Sequence, residues 1–504
     1  MRKHGLVFLV FILHCLLLLP HAKGVHESLK MEMKMIHKQL SSRHEMIQAL
    51  IRVDSMRASS WQYKNTSYHH RRLGASNFEM PIASGALDMG AALYFVEVNV
   101  GTPPQKLLMV PDTGSDLVWV NCNPKIRSAT TKPLPTFSPS NSSSLSYVAC
   151  QSRDCRAVSL TPSIACYGSQ KACKYTQGYL DGTTTSGPYM RETITLKPSN
   201  GKANPLKAKS LLMGCGMENQ PAQSPVSSAG VLGLGQDFTS FAQQTVSLYG
   251  GKFSFCLRDY LEPATVKNSL VFGNILQQSS KFLKKHVQYT PIVKGGTSNY
   301  YVGIEGITMN GKRLPISSNA WKIDMNSGKG GTIIDSGTSL TFFTNEAYGV
   351  IMKALSAAIT YTRATTKDPA QFDLCFNTSG VKKLELPTFS IVFGGGKEFS
   401  PPSQNYVLHV EEGVGCVGFK SISPGSGSPN IIGNLLQQNF FFQYDVQTSV
   451  LGFAPADCAV HNWCDCSSGL YVEEFCDVIV VQVCTRRNCI FAFSKCCFQI
   501  IYFK

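Results

Sequence analysis

The chain has 504 residues, 43% of them hydrophobic and 16% charged, a globular composition. Its 25 Pro and 42 Gly exclude a mainly helical chain, and beyond the N-terminus it has no apolar run of the ~18 residues a membrane span needs. The formal charge of +15 is dispersed: residues 1–79 carry 12 Lys and Arg against 5 Asp and Glu, and residues 459–504 carry 4 against 4. This pattern reads as a solvated basic surface, so no nucleic-acid partner is expected. The 18 Cys place the chain in an oxidising compartment.

Residues 1–24 have the form of a secretory signal. Arg2 and Lys3 precede an apolar stretch from Leu6 to Leu19, and Ala22-Lys23-Gly24 offers small residues for cleavage. Residues 25–75 lack Cys, are rich in Lys, Arg, His and Met, and space Met46, Leu50, Val53 and Met56 as a helix would. They read as a removable, basic pro-segment. From about Ala92 the pattern becomes short strands closed by turns. Tyr94–Val100 alternates and ends in Gly101-Thr102-Pro103-Pro104; Ser269 to Phe272 and Tyr300 to Gly303 repeat the theme. The clearest helix is Glu346 to Ile359. Pro133 to Ser146 and Ser421 to Pro429 are loops. The expected fold is mostly β with long irregular connections.

Residues 459–504 hold seven Cys, so at least one is left unpaired. Arg486, Arg487 and Lys495 interrupt the apolar run from Asp477 to Lys504, which makes it a poor membrane span or lipid anchor. This Cys-rich tail has no assigned role; the expectation is a disordered segment, or one foreign to the natural product. A disulfide knot or a partner-binding tail is the alternative.

Two short motifs match one another: Asp112-Thr113-Gly114-Ser115 and Asp335-Ser336-Gly337-Thr338. No other Asp-(Ser/Thr)-Gly triplet occurs. Each sits between apolar β-type stretches, Leu107 to Val110 and Leu117 to Val120 in one half, Thr332 to Ile334 and Leu340 to Phe343 in the other. Two carboxylates held close cannot both ionise easily, so they share a proton and titrate as a unit. One can activate water while the other protonates a carbonyl oxygen, which is peptide hydrolysis without metal or cofactor. Gly114 and Gly337 permit tight turns, and the hydroxyls of Thr113, Ser115, Ser336 and Thr338 can hydrogen-bond across them.

On these residues the chain resembles the pepsin-like aspartic endopeptidases, and more closely their plant nepenthesin-like branch. The resemblance spans about residues 90–458 and extends to Val100 to Gln105, Asp112 to Trp119, Ile333 to Thr341, Ile431 to Asn434, Gln443 to Val446 and Leu451 to Ala454. It implies a bilobal β fold with the cleft between an N-terminal lobe, residues 76–275, and a C-terminal lobe, residues 276–458. Asp112 and Asp335 are then catalytic. Val231-Leu232-Gly233 and Ile431-Ile432-Gly433 match the element behind each catalytic loop, Tyr179 matches the flap tyrosine, and Trp119 matches the tryptophan that holds it. The resemblance also implies the disulfides Cys375–Cys416 and Cys256–Cys458. Among Cys122, Cys150, Cys155, Cys166, Cys173 and Cys215 fifteen pairings are open. No His flanks these Cys at metal spacing, so no zinc site is expected.

Three departures stand out. Leu180 occupies a flap-turn position that is usually Gly, Pro111 precedes the first catalytic Asp and brings no N–H to the ladder, and the Cys cluster after Cys122 is thinned. Asn65, Asn141 and Asn377 begin glycosylation acceptor triplets. The expected protein is a monomeric, secreted endopeptidase of the apoplast or vacuole, acting on proteins or peptides in acid. The alternative is a protein-binding or inhibitor member of the same fold with little or no activity.

Overall fold

The computed structural model describes residues 77–458, apart from 87–91, 127–134, 159–164, 169–170, 180–182, 200–203, 221–227, 264, 266–267, 278–280, 296, 326, 368–370 and 423–424, together with 470–475, 478–485 and 488–494. The signal and pro-segment readings, Asn65 and Leu180 lie outside the described residues.

Strands dominate. Phe78–Ser84 shows why: every second residue is buried, and every other one is half-exposed, as a strand with one covered face requires. Among the described residues helices are few and mostly short; Asn345–Ala358 is the longest. It buries Ala347, Ile351, Met352 and Leu355, one stripe of a 3.6-residue period.

Six strands form an antiparallel platform in the order Phe78–Ser84, Asn268–Phe272, Lys252–Cys256, Phe440–Asp445, Val450–Pro455, Gln288–Val293. Strands from both halves of the chain therefore share one sheet. Phe440–Asp445 is buried along its whole length because both faces are covered. Phe440, Phe442 and Tyr444 join the main core, and Phe441 joins a smaller cluster with Ile275 and Leu283. Aromatic pairs lock the platform: Phe253 and Tyr444 stack at 4.7 Å, and Phe78 and Phe272 at 4.8 Å.

Above the platform the two halves repeat one wiring scheme. Gln105–Asp112 runs parallel to Gly230–Gly233, which pairs antiparallel with Trp119–Asn121, itself parallel to Leu206–Gly216. In the second half Thr332–Ile334 runs parallel to Asn430–Ile432, which pairs antiparallel with Thr341–Phe343, itself parallel to Phe419–Ser421. The result is two β lobes whose Asp loops meet. The long hairpin Ala172–Gly178 with Thr184–Pro198 belongs to the first half.

Among the described residues five disulfides are present: Cys122–Cys215, Cys150–Cys166, Cys155–Cys173, Cys256–Cys458 and Cys375–Cys416. The first three join the six Cys of the N-terminal half into one pairing. In the tail, Leu470–Phe475, Val478–Thr485 and Asn488–Ser494 pair as an antiparallel three-stranded sheet. The run Val478-Ile479-Val480-Val481 is rich in β-branched residues, which favour strands. Among the described residues no helix is long and apolar enough to cross a membrane.

Candidate active site

Each Asp ends up in the same polar cradle. Asp112 closes its strand and is 1% exposed; Asp335 follows Thr332–Ile334 and is 3% exposed. The Gly114 N–H donates to Asp112 Oδ1 at 2.9 Å, and Ser115 Oγ donates to Oδ2 at 2.6 Å. In the other loop the Gly337 N–H donates to Asp335 Oδ1 at 2.8 Å, and Thr338 Oγ1 donates to Oδ2 at 2.5 Å. Both carboxyls are thereby fixed in orientation by donors from their own turns.

The loops grip one another across the lobes. The Thr113 N–H donates to Ser336 Oγ at 3.1 Å, and the Ser336 N–H donates to Thr113 Oγ1 at 2.9 Å. Each hydroxyl then donates onward, Thr113 to the Ile334 carbonyl at 3.2 Å and Ser336 to the Pro111 carbonyl at 2.7 Å. Pro111 thus lacks a backbone donor but supplies an acceptor. The approach is close: a Cβ added at Gly114 would lie 2.6 Å from Asp335 Cγ.

The Gly behind each loop has the same steric cause. A Cβ at Gly233 would lie 2.2 Å from the Asp116 carbonyl oxygen, and one at Gly433 would lie 2.1 Å from that of Leu340. Only Gly lets these strands run so near the loops. The Leu234 N–H donates to the Asp112 carbonyl at 2.8 Å, and the Asp335 N–H donates to that of Ile432 at 3.1 Å. Gln437 Nε2 donates to the Asp335 carbonyl at 3.2 Å and to that of Ile432 at 2.9 Å.

Trp119 Nε1 donates to the Tyr179 hydroxyl at 2.6 Å, with the rings 6.4 Å apart. Tyr179 is half-buried at the end of the hairpin, and its N–H donates to the Thr183 carbonyl at 2.7 Å. The two residues singled out for the flap therefore touch.

Sequence reasoning passed over Asp116, four residues after Asp112. Burial pushes this carboxyl from 3.8 up to about 7; Ser298 opposes the shift by hydrogen bonding, and the nearby Asp237 and Asp112 add to it. Its position in the first motif corresponds to Ser339 in the second, and that break in the repeat was the available signal.

Two family models match, described as xylanase inhibitor N-terminal, over residues 94–274, and xylanase inhibitor C-terminal, over residues 299–455. The chain is 35% identical over 387 residues to aspartyl protease family protein 2 of Arabidopsis thaliana, covering 76% of this chain and 74% of that one. It is 33% identical over 372 residues to aspartic proteinase nepenthesin-1 of Nepenthes gracilis, covering 73% and 79%. Among solved structures, edgp aligns with a TM-score of 0.62 at 20% identity, over 79% of this chain and 100% of that one. Basic 7S globulin from soybean aligns with a TM-score of 0.61 at 18% identity, over 78% and 99%.

Proposed function

Because the chain belongs to the pepsin-like aspartic proteases of plants, we propose that it is an endopeptidase working in acid through water held between Asp112 and Asp335. The ionised carboxylate takes a proton as water attacks the peptide carbonyl carbon, and the neutral carboxyl gives its proton to the carbonyl oxygen. Collapse of the resulting diol returns a proton to the leaving nitrogen, breaks the C–N bond and restores one proton to the pair. Tyr179, held by Trp119, covers the bound peptide.

The observation that carries this proposal is the matched pair of cradles. Each buried Asp receives one backbone N–H and one hydroxyl from its own turn, and the turns are joined by reciprocal bonds. Five disulfides support a route through the secretory pathway to the apoplast or vacuole. In this scheme residues 1–24 direct export, residues 25–75 are removed on activation, and the lobes of residues 76–275 and 276–458 form a monomeric enzyme, glycosylated at Asn141 and Asn377.

A second reading is a protein-binding member without catalysis, favoured by the xylanase-inhibitor description of both family models. The test is cleavage of a denatured protein at pH 3–5 by the secreted, activated chain, beside Asp112→Asn and Asp335→Asn. Cleavage lost in both folded variants supports the enzyme. A folded, activated and inert parent chain shifts the assignment to the binding protein.

A further inference from the structure

We propose that Asp116 is a positioning residue for the catalytic pair, a second bolt that fastens C-terminal segment 298–300 to the Asp112 loop. Ser298 Oγ donates to Asp116 Oδ2, and the Asp237 N–H donates to Oδ1 at 2.9 Å. The same segment is held at three further points. The Gln236 N–H donates to the Ser298 carbonyl at 2.8 Å, Gln236 Nε2 donates to that of Asn299 at 2.7 Å, and the Tyr300 hydroxyl donates to that of Leu234 at 2.7 Å.

From there the path to the second Asp is short. The Ile334 N–H donates to the Tyr300 carbonyl at 3.2 Å, and Tyr301 pairs with Ile333 in the strand that delivers Asp335. Asp116 therefore connects the loop of one catalytic carboxyl to the strand of the other, by a route separate from Thr113 and Ser336. Its seat is tight: a Cβ at Gly235 would lie 2.3 Å from Asp116 Oδ1.

The ionisable groups facing Asp116 are Asp237 from the turn behind it, Asp112 from its own loop and Tyr300 from the bolted segment. Burial, with the two carboxyls adding to it, raises Asp116 from 3.8 to about 7. The folded chain then keeps this proton where the unfolded chain has lost it. The contribution to stability is complete below 3.8 and is lost as pH rises through about 7. At neutral pH Asp116 ionises beside two other acids; it still accepts both bonds, but its buried charge favours opening of the bolt, which is therefore firmest in acid.

The test compares the parent chain with Asp116→Asn and Asp116→Ala, each secreted and activated. Asn reproduces the neutral acid's shape; Ala removes both hydrogen bonds. The kinetic arm rests on the endopeptidase reading. Asp116→Ala is expected to lower kcat at pH 4 on the order of 10-fold with KM within about 2-fold. Asp116→Asn is expected to keep kcat at pH 4 and to extend activity toward neutral pH.

The second arm does not need catalysis: hydrogen exchange at the Gln236 and Ile334 amides, corrected for intrinsic rates. Their protection is expected to drop between pH 5 and 8 in the parent and to stay level in Asp116→Asn. Unchanged kcat in Asp116→Ala, or the same exchange profile in parent and Asp116→Asn, overturns the proposal. If the parent cleaves nothing, the endopeptidase reading falls and the exchange profile alone decides the bolt.

Discussion

Thr113→Val is the sharpest probe of how the lobes are joined. Val keeps the volume of Thr and removes one hydroxyl, which here serves twice. Oγ1 accepts from the Ser336 N–H at 2.9 Å and donates to the Ile334 carbonyl at 3.2 Å. Thr113 is 0% exposed and Ser336 is 5% exposed, so water cannot replace the lost partner without the loops parting. An orphaned buried donor costs ~1–3 kcal/mol, and the carbonyl adds a smaller share, so ~2–3 kcal/mol is expected for the substitution. Ser336→Ala is its mirror image: it orphans the Thr113 N–H and the Pro111 carbonyl, at similar cost. The double variant should cost less than the sum by about 1 kcal/mol or more, because once one side has opened, water reaches the other. Urea unfolding at pH 5 reads all three values. Activity should fall at least ~10-fold in each single variant, since misaligned carboxyls lose the attack geometry. A loss below about 0.5 kcal/mol for Thr113→Val, or strict additivity, would refute the claim that the grip acts as one unit.

Three other outcomes follow from the same geometry. Gly114→Ala should abolish cleavage while leaving a folded protein, because the added methyl meets the Asp335 carboxyl at 2.6 Å; circular dichroism and a turnover assay check it together. Tyr179→Phe should lower kcat/KM by about 3–10-fold, the worth of one neutral hydrogen bond, since the Trp119 N–H loses its acceptor while the ring remains. Replacing Cys256 and Cys458 by Ala opens a link spanning 202 residues, and chain-entropy reasoning sets the loss of stability at up to about 5 kcal/mol, measured by thermal melting with and without reductant.

The parts that could be read from the sequence are those that act locally. A strand, a turn needing Gly and a strand make a pattern within 14 residues, and two copies single out the pair Asp112 and Asp335. The helix, read as Glu346 to Ile359, begins and ends one residue earlier in the structure, within the usual uncertainty of helix ends. Gly233 and Gly433 were visible as residues, but their cause was not, because it is the backbone of a loop more than 90 residues away in each chain half. The pairing of six N-terminal Cys was closed to sequence for a related reason. Cys122 meets Cys215 only because their strands run side by side, with Val120 opposite Cys215.

Asp116 shows what a repeat conceals. Where two halves share a motif, attention goes to the positions that agree, and those positions build the symmetric cradles and the symmetric grip. The first loop has a carboxyl where the second has Ser339, and the structure gives each a different neighbourhood. The Leu435 N–H donates to the Ser339 carbonyl at 3.1 Å, a contact internal to its own lobe. In the first half Gly235 likewise stays within its lobe, donating to the Ser115 carbonyl at 2.9 Å, but the next residue, Gln236, reaches across to the Ser298 carbonyl at 2.8 Å. The departure from symmetry therefore coincides with a crossing between lobes. A pair of lobes joined only by equivalent contacts would have a single point of alignment at the dyad, about which they could rock. Adding an unequal contact on one side removes that freedom, and in this chain Asp116 shares that contact with Gln236 and Tyr300.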